Sequence, residues 1–116
     1  MGKVKQQERY YEGMLRMMRE ADAAEKNIDY KFNEGELIKE FKKYIDTTYT
    51  SHYSKDKFQA TEFIMDGGHG TGFCIGNVMK YAQRYGKKGT KADARKDLMK
   101  VLHYALMQLY VHDQEL

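Results

Sequence analysis

Apolar side chains recur along this chain at intervals of three, four and seven, the spacing that lines one face of an α-helix. Over residues 4–25 the stripe is Val4, Tyr11, Met14, Leu15, Met18 and Ala21, with Gln, Glu, Arg and Lys on the other side. A stripe rich in Met and Tyr suits packing against a partner helix. Residues 1–30 therefore read as an amphipathic N-terminal helix and a candidate oligomerisation arm. After a turn, Asn33 and Glu36 have the spacing of a capping box, predicting a helix with Leu37, Ile38, Phe41, Tyr44 and Ile45 inward. That helix is expected to fade in DTTYTSHYSKD, where Thr, Ser and Asp compete for backbone hydrogen bonds.

A short helix is predicted over Lys57–Met65, carrying Phe58, Phe63 and Ile64 and ended by glycines. The next runs from about Thr71 to Tyr85, with Phe73, Ile75, Val78, Met79 and Ala82 mostly on one side. GKKG forms a loop, and Thr90 with Asp93 makes a second capping box. The last helix carries Leu98, Val101, Leu102, Ala105 and Leu109. Strand-like alternation is nearly absent, so the fold class is all-α: four to five helices ending in an antiparallel pair.

Composition narrows this further. With 116 residues, 41% of them hydrophobic, the chain supports one domain with a modest core, so self-association is an expected source of stability. No apolar run is long enough to span a membrane, and MGKVKQQERYYEGM lacks the apolar segment of a secretory signal. One cysteine, Cys74, cannot form an internal disulfide and fits a reducing cytoplasm. Between Phe73 and Ile75 it reads as a small core residue rather than a reactive thiol. The net charge of +3 conceals an asymmetry, because residues 80–100 carry eight basic against two acidic side chains. Such a segment points to a phosphate-bearing partner or to a solvated lysine-rich helix pair.

The stretch DGGHGTGFCIG at residues 66–76 invites comparison with a phosphate-binding loop. A Walker loop requires Lys and Ser or Thr after its last glycine, and here Phe73 and Cys74 follow Gly72. The dinucleotide fingerprint fails as well, its third glycine being one residue late. The glycines could leave backbone N–H groups free for an anion. The favoured reading is a helix C-cap and tight turn, with Gly76 letting two helices approach closely.

Downstream, Asn77, Lys80, Tyr81 and Arg84 fall at i, i+3, i+4 and i+7, on one helical face. Lys and Arg suit phosphate, Tyr can stack on a base, and Asn can read its edge. Asp97, Lys100 and Tyr104 make a similar stripe on the last helix, and an antiparallel pair would bring the two together. No two of His52, His69, His103 and His112 have metal-ligand spacing, so no metal site is expected. His52 is a candidate acid–base group or a capping loop histidine. His69, among the glycines, could touch a phosphate or simply lie exposed.

His52-Tyr53, Gln59, Glu62, Gly76-Asn77-x-x-Lys80-Tyr81-x-x-Arg84-x-x-Lys87 and Asp97-Leu98-x-Lys100-x-x-x-Tyr104 together resemble a group of small bacteriophage proteins. A larger podophage member of that group is a deoxynucleoside monophosphate kinase without a Walker loop. The resemblance covers about residues 51–110. It implies a phage protein in the cytoplasm of the infected host cell, with residues 31–116 forming a helical nucleotide-binding domain. Lys80, Arg84, Lys87 and Lys100 would hold phosphate, and Asn77, Tyr81 and Tyr104 would contact the nucleoside. His52 or Asp97 would supply acid–base chemistry, and ATP with magnesium would be the phosphoryl donor. A homo-oligomer with a site shared between subunits is expected, because one chain is small for two nucleotides. The layout also looks like the all-α nucleotide pyrophosphohydrolases, but Asn77 and Lys80 stand where their metal-binding carboxylates would be needed. The rivals are a non-enzymatic binder, either a nucleotide-signal sponge or an inhibitor of a host protein, and a nucleic-acid-binding accessory protein.

Overall fold

The computed structural model describes residues 2–24, 28–51 and 54–114. Among these the elements are α1 (Gly2–Ala24), α2 (Glu34–Thr50), α3 (Ser54–Asp66), α4 (Gly70–Arg84) and α5 (Lys91–Gln114), with no strand. The all-α expectation holds. No described helix is long and apolar enough to cross a membrane. The chain divides into two units that meet between Glu36 and Leu37, within the first turn of α2.

In the first unit, α1 keeps its apolar stripe in solvent: Met14, Leu15 and Met18 are all exposed. The start of α2 differs from expectation. Asn33 is left-handed at φ 60, a conformation Asn tolerates but not the extended one an N-cap requires. At this turn Glu34 Oε1 accepts the Phe32 N–H at 2.7 Å.

In the second unit α2 does not fade at Asp46 but continues to Thr50. The hydroxyls that were expected to break it bond backwards within the helix. Thr47 Oγ1 donates to the Tyr44 carbonyl and Thr48 Oγ1 to that of Ile45, each at 2.7 Å. Helix α3 ends in a paired C-cap: Gly68, at φ 86, donates to Met65 O at 3.0 Å and His69 to Ile64 O at 3.1 Å. That is the turn reading of the glycine stretch. Helix α4 begins inside this stretch, at Gly70.

Helices α4 and α5 pack antiparallel across a short turn in which Gly86 and Gly89 take positive φ. The turn closes on a reciprocal box. Thr90 N–H donates to Asp93 Oδ2 at 2.9 Å, and Asp93 N–H donates to Thr90 Oγ1 at 3.2 Å. Close approach occurs at Gly70, where an added Cβ would stand 3.1 Å from Val111 Cγ2, whereas one on Gly76 meets nothing within 4 Å. The expectation placed on Gly76 therefore belongs to Gly70. The reason is that α4 starts early enough to put Gly70 on its packed first turn.

The core is thin. Cys74, Met99 and Val111 are the buried apolar side chains among the described residues. Helix α2 reaches α5 through Phe41 and Tyr44, whose rings stand edge-on to buried His103 at 6.5 and 5.9 Å, and through an Arg95–Glu40 ion pair. Of the apolar residues along α5, Leu98, Leu102 and Leu109 are exposed.

Candidate functional site

The helix pair gathers the two polar stripes as expected. At its centre the Tyr81 ring lies parallel to that of Tyr104, with centroids 5.9 Å apart and planes within 8°. Three cations surround Tyr81. Lys80 Nζ and Lys100 Nζ each stand 4.9 Å from its centroid, and the Arg84 guanidinium carbon stands at 5.6 Å. Phe73 meets Tyr104 edge-on at 5.7 Å and braces it from the α4 side. Cation–ring attraction of about 0.5–1 kcal/mol per exposed pair holds each head group near the ring without neutralising it.

Asp97 is the one carboxylate in this group and is only 1% exposed. Its Oδ1 lies 3.2 Å from Arg84 Nη2 without a well-aligned hydrogen bond, and its Oδ2 accepts from Arg84 Nε at 3.4 Å. Asp97 thus anchors the guanidinium from below, while Arg84 remains half in solvent. With one carboxylate against three cations, the face carries uncompensated positive charge. A multiply charged anion is the natural complement.

Other expected residues sit differently. Asn77 is half-buried, and its Nδ2 donates to Phe73 O of the same helix at 2.9 Å, so its amide donor is turned inward. Lys87 lies on the exposed turn after α4, where its N–H donates to Arg84 O at 3.0 Å. His52 lies outside the described residues. Gly70 is ten residues before Lys80, about 15 Å along the helix axis, too far for its N–H to share a phosphate with that lysine.

Tyr44 and His103 belong to the neighbourhood and were not singled out by pattern. Burial pushes the Tyr104 phenol above its usual range, with Tyr81, Tyr44 and Cys74 adding to it. Tyr44 is raised by burial and then by Tyr81. Its ring stands edge-on to His103, whose ring lies 6.3 Å from that of Tyr104, which places this α2 residue at the edge of the site. His103 is held below the ordinary imidazole value by burial and then by Lys57. The signal for Tyr44 was its position one turn after Phe41, which is indistinguishable from a core position. Burial also raises the Cys74 thiol, which agrees with a packed rather than reactive cysteine. On another side of α5, a groove of about 580 Å³ opens between α2, α3 and α5, lined among others by Tyr49, Phe58, Glu62, Met65, His103 and Tyr110. Among the described residues, no three His, Cys, Asp or Glu side chains gather as a metal-binding group.

Fold and site together define an all-α protein with a cation-ringed tyrosine pair on an antiparallel helix hairpin. The chain belongs to the family described as a protein of unknown function, DUF3310, which matches residues 47–106. That span holds every residue of the cluster and leaves α1 and most of α2 outside. No curated protein and no solved structure matches the chain.

Proposed function

We propose that this chain is a phage-encoded nucleotide-binding protein that takes phosphate on the α4–α5 face and acts as a deoxynucleoside monophosphate kinase in the host cytoplasm. The observation that carries the binding is the convergence of Lys80, Arg84 and Lys100 on Tyr81, with Asp97 paired to Arg84 beneath them. The kinase activity rests on the resemblance to the podophage enzyme. The cations suit the phosphates of ATP and of the acceptor, and the Tyr81–Tyr104 pair offers an aromatic surface beside them. Among the described residues no three His, Cys, Asp or Glu side chains gather, and in this reading magnesium arrives bound to the phosphates of ATP. Acid–base work falls to His52 in this reading, because Asp97 is buried under Arg84 and positions it.

That same burial favours a second reading, a binder without turnover, such as a nucleotide-signal sponge. The test is incubation with ATP, magnesium and each deoxynucleoside monophosphate, with diphosphate formation measured beside calorimetric binding. Turnover abolished in Lys80→Ala and Lys100→Ala supports the kinase, and tight binding without turnover leaves the binder. Absence of binding to any nucleotide, with salt-sensitive binding of DNA instead, sinks both and favours a nucleic-acid accessory protein.

A further inference from the structure

Helix α5 presents three faces: one packs on α4, one lines the open groove beside α2 and α3, and the third lines neither. The third carries Leu98, Leu102, Ala105 and Leu109, all exposed, the leucines at 42%, 49% and 60%. Their spacing of four, three and four is that of a coiled-coil seam. It also reads the same from either end. Such a palindrome is what a two-fold interface needs, since each residue i that meets j is answered by j meeting i. The thin core adds to the case, because this leucine row lies in solvent rather than in the core.

We infer that a second copy of this chain docks here, α5 against α5 in antiparallel orientation, with Leu98 opposite Leu109 of the second copy and Leu102 opposite its Ala105. Charge selects the orientation. Lys91 stands at the start of the seam, beside the Glu40-paired Arg95, and Asp113 at its end, so antiparallel pairing sets unlike charges together. Parallel pairing would set the cations against their own copies. Leucine against alanine at the centre lets the two helices approach closely, as knobs into holes require. The ring cluster lies on the neighbouring face of α5, so docking leaves Lys80, Arg84 and Lys100 open to ligand. The inference is independent of what that ligand is.

The full chain is tested by sedimentation velocity over a concentration series. The expected result is a dimer for the wild type and a monomer for Leu102→Glu with unchanged far-UV circular dichroism. A chain carrying both Met14→Glu and Met18→Glu in α1 stays dimeric. Orientation is read with a short thiol cross-linker. Leu98→Cys chains mixed with Leu109→Cys chains join across the two variants, and Leu98→Cys chains alone do not join. A monomeric wild type, a dimer that survives Leu102→Glu, a dimer lost through the α1 substitutions, or self-linking of Leu98→Cys overturns the inference.

Discussion

Arg84→Ala removes the partner of a carboxylate that is 1% exposed, so its first effect is on folding rather than on ligand. Breaking a buried ion pair from one side costs about 3–5 kcal/mol, because the remaining charge is left desolvated and unmatched. Arg84 itself is 45% exposed, so water reaches part of the pair and the low end, about 3 kcal/mol, applies. For a domain of this size that corresponds to a fall in Tm of roughly 10 °C. Lys80→Ala is the control, since Lys80 has the same charge on the same helix but no buried counter-ion. It should change stability by no more than about 1 kcal/mol, the scale of its contact with the Tyr81 ring. Combining Arg84→Ala with Asp97→Asn removes the stranded charge while keeping the side chain's shape. The double variant should therefore be less destabilised than the two single changes summed, by at least about 1 kcal/mol. The assay is urea unfolding followed by far-UV circular dichroism, at one fixed protein concentration because any association would add to apparent stability. Equal losses for Arg84→Ala and Lys80→Ala, or strict additivity in the double variant, would refute the assignment of Asp97 as the anchor of Arg84.

Gly70→Ala should lower stability by about 1 kcal/mol through contact with the stiff Val111 methyls, while Gly76→Ala, with nothing within 4 Å, should raise it by up to about 1 kcal/mol; thermal melts of the pair decide, and like signs would contradict the packing. His103 has a folded-state pKa below the ordinary 6.5, so the unfolded chain takes up its proton first. Its stability contribution is complete above about pH 6.5 and is lost as pH falls below it. Unfolding free energy measured from pH 7.5 to 5 should slope downward, and His103→Gln should flatten that slope. Binding of a nucleoside triphosphate should weaken with added salt, and the log–log slope should be shallower in Lys80→Ala and in Lys100→Ala. Equal slopes in wild type and variants would place the phosphate elsewhere.

Helix number, order and the α4–α5 hairpin were legible because each rests on short-range chemistry: apolar spacing, the Thr90–Asp93 box and the glycine turns. Lys80, Tyr81, Arg84, Asp97, Lys100 and Tyr104 were legible for a related reason. Two stripes on consecutive antiparallel helices have few ways to miss each other. What failed was everything that depended on which neighbour a side chain finds. Asn77 sits in register with Lys80, yet its side-chain amide donates to a carbonyl of its own helix one turn back. The hydroxyls of Thr47 and Thr48 were read as helix breakers, although the same short side chains can donate to the preceding turn and leave the helix intact. Tyr44 joins the site from a helix that lies mostly outside the family match, and no local pattern ties it to Tyr81.

The leucines of α5 are the most instructive case. A period of three and four marks a face that avoids water, and it does so equally for a core and for an interface. On α5 the inward positions are held in part by Asp97, His103 and Tyr104, polar groups committed to the site, and the most regular leucine row is the one left outside. A helix that spends its inner faces on charge and aromatic chemistry has less apolar surface with which to bury itself. Its remaining hydrophobic row then stabilises the fold only if something covers it, and a row that matches its own reversal is best covered by itself.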